Sequence, residues 1–141
     1  MAADPADAAA CPRRAAFDAL LRDRMRTPFQ WGVHDCCTFA ADAVLALTGQ
    51  DPAADVRGTY GDEAGATAVL EAAGGLQAAG ARAGEAIAPR AAAVGDVGLV
   101  QYAGREQLAV CAGSVWLVPA TRGLAALPFT AAAAAWRVGR G

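Results

Sequence analysis

The chain of 141 residues contains no lysine, no asparagine, one isoleucine (Ile87) and one histidine (His34). Its 12 basic residues are therefore all arginine, set against 14 acidic ones for a formal net charge of −2. Near-balanced charge, with the arginines scattered, leaves no electrostatic footprint for nucleic acid or an anionic membrane surface. Long apolar runs are missing as well. The longest uncharged stretch, Gln107 to Thr121, is broken by Gly113 and Pro119 and stopped by Arg122; it falls short of the roughly 20 apolar residues of a membrane span. Met1 to Ala10 lacks the basic start and apolar stretch of a secretory signal. The expectation is synthesis in the cytoplasm without a signal peptide, with residues 1–12 a disordered, Ala/Asp/Pro-rich tail. The cysteines, Cys11, Cys36, Cys37 and Cys111, do not make a disulfide framework at this length. A bridge between the adjacent Cys36 and Cys37 would need a strained ring, so reduced thiols are expected. Cys11 and Cys111 read as small buried apolar residues.

What is present in excess is alanine, at 40 positions. It inflates the 55% hydrophobic content while burying little area per side chain. The informative apolar residues are the few large ones, among them Phe17, Leu20, Leu21, Phe29, Trp31, Phe39, Leu47, Leu99, Trp116 and Trp136. Phe17, Leu20, Leu21 and Met25 recur at helical spacing, which predicts an amphipathic helix over 13–26 that ends before Thr27-Pro28. A loop with Phe29, Trp31 and Gly32 follows. Asp35 stands where an N-cap belongs, and Cys36 to Leu47 reads as a second helix closed by Gly49. Asp62 to Ala73 reads as a third, ended by Gly74-Gly75. The stretch 77–90 carries no decisive pattern.

From Val94 the pattern becomes short apolar runs between turn residues: Val97–Tyr102, Gln107–Ala112, Ser114–Pro119 and Leu124–Leu127, with Arg137-Val138 as a closing strand. Tight turns at this spacing predict an antiparallel meander. Helices first and strands afterwards make residues 13–141 a single α+β domain, with the N-terminal helices packed on one face of a small sheet.

The chemistry is concentrated in Trp31-Gly32-Val33-His34-Asp35-Cys36-Cys37. A thiol attacks as its thiolate, and the first turn of a helix favours that state through its free N–H groups and dipole. The same groups can hold the oxyanion of an acyl-transfer intermediate. Cys36 sits where both effects act if Asp35 is the cap, although an Asp cap before small residues also begins an ordinary buried helix. Cys37, about 100° further round a helix, is expected to pack on the flank.

Trp31-Gly32, then Asp35-Cys36 at a helix start, then Gly95-Asp96 opening a meander, together resemble the NlpC-type cell-wall peptidases, a compact branch of the papain-like cysteine hydrolases. More narrowly, Trp31–Gly49, Asp51-Pro52 to Tyr60 and Ala135-Trp136-Arg137-Val138 are similar to short phage and prophage proteins encoded near tail genes. The resemblance implies a papain-like fold and Cys36 as nucleophile. It also implies peptidoglycan peptides or phage tail proteins as partners, and a virion-associated location. It calls for no cofactor. In that family the base is a histidine that begins the second strand; here Gln107 takes its place. Glutamine has no titratable nitrogen. His34, two residues before Cys36, is therefore the only imidazole that could serve. It is either the partner of the thiol or a half-exposed loop residue bonded to Asp35 or to a carbonyl.

Two functions follow: a cysteine hydrolase cleaving amides of peptidoglycan peptides, with Cys36, His34, Asp35 and Gln107 in the site, or an inactive scaffold of the same fold in tail assembly or binding. Trp31 and Gly32 are the expected substrate groove, whereas Trp116 and Trp136 are expected in the core. Zinc binding by His34, Cys36, Cys37 and Cys111 is disfavoured, because structural zinc ligands are spaced two to four residues apart on turns. Asp42, Asp96 and Glu106 show no carboxylate pairing of the glycosidase kind.

Overall fold

A computed structural model describes residues 5–139, with side chains from residue 12 onward. The helices are α1 (Pro5–Arg24), α2 (Cys36–Thr48), α3 (Glu63–Ala73) and α4 (Leu76–Ala81). The strands are β1 (Gly84–Ile87), β2 (Val97–Tyr102), β3 (Arg105–Cys111), β4 (Val115–Ala120), β5 (Gly123–Pro128) and β6 (Ala134–Val138). The chain is thus an α+β protein with an antiparallel sheet, as its order of helical and strand patterns implies.

The first helix corrects one expectation. Residues 5–12, read as disordered tail, are helical. Alanine is the strongest helix former and proline is tolerated at the first helical position, so Pro5 followed by alanines extends the helix back from Arg13. Residues 1–4 of the expected tail, and the side chain of Cys11, lie outside the described residues. No described helix is long and apolar enough to cross a membrane.

The sheet has the order β1-β6-β2-β3-β4-β5. Strands β2 to β5 form the expected meander, and the β2–β3 turn is tighter than expected, at two residues. Ala103 and Gly104 both have positive φ, 52° and 80°, the pattern of a hairpin turn whose twist matches its strands. The final strand does not simply close the meander at its end. It lies between β2 and β1, pairing Val97 with Trp136 and Ala86 with Trp136 on its two sides. Asp96 pins this junction: its buried carboxylate accepts hydrogen bonds from the N–H groups of Ala93 (2.8 Å) and Val138 (3.0 Å).

Two cores flank the sheet. Phe17, Phe39, Val97, Leu108, Val110 and Trp136 meet between helices and sheet. On the opposite face Val100, Cys111, Trp116 and Val118 pack together, with Phe129 stacked on Trp116. Trp116, Trp136 and Cys111 are therefore core residues, buried as expected. Positions 80 and 98 require glycine because the rings of Trp136 and Trp116 lie where a Cβ would be.

For the site, the relevant detail is that β3 pairs with β4 only at Val110–Leu117 and Cys111–Trp116. The first half of β3 diverges from β4 and leaves an opening beside the start of α2.

Candidate active site at the start of α2

Asp35 organises the helix entrance. One carboxylate oxygen accepts from Thr38 N–H at 2.9 Å, while Thr38 Oγ1 accepts from Asp35 N–H at 2.8 Å, a reciprocal capping box. The other oxygen accepts from Gly32 N–H (2.8 Å) and from the Tyr60 hydroxyl (2.7 Å). Asp35 is thereby fully engaged, and it orients the loop before Cys36 instead of touching a ligand. Burial, and next the bond to Asp35, push the Tyr60 phenol well above its usual range. Gly32 has φ of +82°, and a Cβ there would lie 2.4 Å from the Tyr60 carbonyl oxygen. Its role is close approach of two backbone segments; it does not line the groove in which it was expected.

Cys36 and Cys37 are both free thiols with partial exposure. Cys37 packs against the core flank of α2 as expected, and in addition its sulfur lies 3.9 Å from that of Cys36. Donation of a hydrogen bond from Cys37 holds the Cys36 thiol below its ordinary range; the Leu108 N–H and the charge of Arg105 act in the same direction, against burial and Asp35. Cys37, as the donor in a buried position, is pushed strongly upward. Cys36 is thus the member of the pair that ionises first, at the first position of α2, where the helix start favours negative charge.

His34 is turned away from this chemistry. Its ring is completely buried, packed edge-on against Phe39 at 5.7 Å. Nε2 lies 3.2 Å from the carbonyl oxygen of Gly123, and Nδ1 lies 3.3 Å from an Arg24 guanidinium nitrogen. Guanidinium only donates, which assigns Nδ1 as acceptor and Nε2–H as donor. Both nitrogens are then occupied. Burial, first, lowers the His34 pKa, and the neighbouring Arg24 adds to this, so the ring is a neutral bridge from the loop to α1 and β5. Of the two roles open to it in the sequence, the geometry is that of a residue bonded to a backbone carbonyl, but one fully buried and not half-exposed, because α1, β5 and Phe39 close over the ring.

Gln107 lies on β3, nearly buried, its Nε2 donating to the Tyr102 carbonyl at 3.0 Å. Together with Cys36, Trp31, Tyr102 and Arg105 it lines an open groove of about 500 Å³. Trp31 lines this groove, with the Arg105 guanidinium over its ring at 5.7 Å. Arg105 is also paired with Glu63 at 3.1 Å. The structure therefore brings together Cys36, Gln107 and Trp31 and keeps His34 apart. Tyr60, Arg105 and Cys37 were missed as site residues. Arg105 falls in what reads as a turn, and only its alternation with Gln107 on a strand would have disclosed it. Among the described residues, no group of three or more His, Cys, Asp or Glu side chains could hold a metal ion.

Residues 11–138 match the family model described as a domain of unknown function, DUF6950, and the chain belongs to that family. No curated protein and no solved structure matches the chain.

Proposed function

We propose that this member of the DUF6950 family is a papain-like, NlpC-type scaffold that binds without turnover. In this reading it is an assembly or structural protein of a phage tail whose groove takes a peptidoglycan peptide. The carrying observation is the separation of the chain's one imidazole from its nucleophile-position thiol. His34 is fixed between Arg24 and Gly123, and Gln107 stands on β3 where the peptidases carry their base. Cleaving an amide requires a group that removes the thiol proton and another step that protonates the leaving nitrogen. Glutamine can do neither near neutral pH.

The order of parts supports the scaffold: a Trp-Gly loop, an Asp-capped helix beginning with cysteine, and a Gly-Asp turn before the first strand of the meander. The groove supports a peptide ligand, with an indole face at Trp31 and a guanidinium at Arg105 able to pair with a carboxylate. One observation favours the hydrolase reading instead, namely the Cys36 thiol held below its ordinary range. Calorimetric titration with muropeptides, alongside assay of peptide release, separates the two. The binding reading expects saturable heat, weakened at least about fivefold in Trp31→Ala and in Arg105→Gln, with no release. Absence of binding at about 1 mM would overturn it, and release that disappears in Cys36→Ala would establish the hydrolase.

A further inference from the structure

Beside the thiol pair lies a partly open cavity of about 100 Å³, bounded by α2, α3, α4, the loop 52–60 and the sheet residues Val97 and Leu108. Its walls are almost wholly apolar, including Val44, Val56, Ala66, Leu70 and Leu108. Alanines such as Ala40, Ala41, Ala66, Ala73 and Ala79 stand among the facing residues, and their short side chains leave part of the space between the helices and the sheet unfilled. Trp31, Cys36, Ala66 and Leu70 line both this cavity and the open groove. Cys36 therefore stands between an apolar cavity and a more open groove that carries polar side chains. A ligand that fits both must be amphiphilic, with a small aliphatic part and a reactive junction at the sulfur.

We infer that Cys36 is an acyl-acceptor site, which takes a short aliphatic acyl group from a thioester and lodges its chain in the apolar cavity. The Cys36 thiolate attacks the thioester carbonyl carbon, and a carbon–sulfur bond to Cys36 forms. The carbon–sulfur bond to the carrier breaks, and the carrier sulfur leaves with the electron pair as a thiolate that takes its proton from water. Nothing is oxidised or reduced. The exchange also needs no imidazole, because a thiolate is a good leaving group without protonation, whereas an amine is not. A thiol stabilised by Cys37 and Leu108 but lacking a base is suited to this donor class and unsuited to amides. An apolar cavity of about 150 Å³ takes a benzene ring, so one of about 100 Å³ suits a chain of about four carbons. The inference does not depend on the groove taking peptidoglycan.

The full chain is incubated with acetyl and butyryl thioesters of N-acetylcysteamine, and adducts are followed by intact mass, hydroxylamine lability and peptide mapping. Each rate is divided by that of free N-acetylcysteine with the same donor. Burying two further methylene groups predicts butyryl favoured over acetyl by about tenfold, on Cys36 and not on Cys37. Cys36→Ala should form no adduct. Ala73→Leu and Ala79→Leu, which fill the cavity from α3 and α4 at positions outside the groove, should each reduce the butyryl preference to within about twofold of the free thiol while acetyl transfer persists. A native chain that shows no butyryl preference would overturn the proposal, and that arm requires no variant to fold. An adduct on Cys37, or a preference unchanged in both filled variants, would overturn it equally. No muropeptide is present, so a failed peptide titration leaves these outcomes untouched.

Discussion

His34 and Cys36 are two residues apart in sequence and separate in chemistry. His34 is held below its ordinary pKa, mainly by burial, so it stays neutral in the fold while the unfolded chain takes up a proton near pH 6.5. Its contribution to stability is then complete above that pH and declines as the pH falls below about 6.5. The urea midpoint should fall between about pH 7 and about pH 5, and fall less in His34→Gln, which can still donate and accept. His34→Ala leaves Arg24 and Gly123 without their partner and opens a hole, at a cost of about 3 kcal/mol, read by urea unfolding. The same variant should leave the pH dependence of Cys36 alkylation unmoved, whereas Cys37→Ala should shift it upward, because Cys37 is the main donor to the thiolate. A thiol that loses its depressed pKa in His34→Ala would contradict this division of roles. In the sequence, the capped helix that begins at Cys36 was legible from Asp35-Cys36 before a helical stripe. The direction of the His34 ring was not, since it depends on Gly123, whose carbonyl arrives from a strand 89 residues away.

At the scale of elements, the entrance to α2 is one unit built by Gly32, Asp35, Thr38 and Tyr60. Asp35→Ala removes the cap and leaves the Tyr60 hydroxyl and Gly32 N–H unsatisfied, at about 2–4 kcal/mol. Gly32→Ala combines a left-handed backbone with a collision against the Tyr60 carbonyl, and should cost about 2–3 kcal/mol by the same measurement. A loss under about 0.5 kcal/mol for either would mean that the loop repacks freely. Helices α2 and α3 and the meander were legible because caps, periodicity and turn glycines are local signals. The long α1 was obscured by treating an Ala/Asp/Pro segment as solvated tail, although alanine propensity favours helix. Strand β1 and the insertion of β6 beside β2 could not be read, because Gly84–Ile87 is too short and too poor in large side chains to carry a period, and its partner lies about fifty residues on.

Across the whole molecule, a partly buried ion network ties the helices to the loop that walls the cavity. Asp42 on α2 meets Arg24 at 2.8 Å and Arg57 at 2.7 Å, and Arg57 also holds Asp51 at 2.6 Å. The bond from Arg57 keeps the Asp51 carboxyl below its usual range. Its folded pKa is depressed, so this stabilisation is present above the ordinary carboxylate value near 4 and is lost as the pH falls through the folded value. Arg57→Ala should cost about 2 kcal/mol near neutral pH and flatten the acid limb of the stability profile. A full-sized acid limb in that variant would place the titrating group elsewhere. The network, the thiol pair and the groove together describe a domain whose α2 begins with a free thiol beside an open groove, with the His34 ring engaged elsewhere. The most direct test is the mass profile of purified muropeptides after prolonged incubation with the native chain and with Cys36→Ala. The account predicts identical, uncleaved profiles in both; peptide fragments formed by the native chain and absent with Cys36→Ala would contradict it.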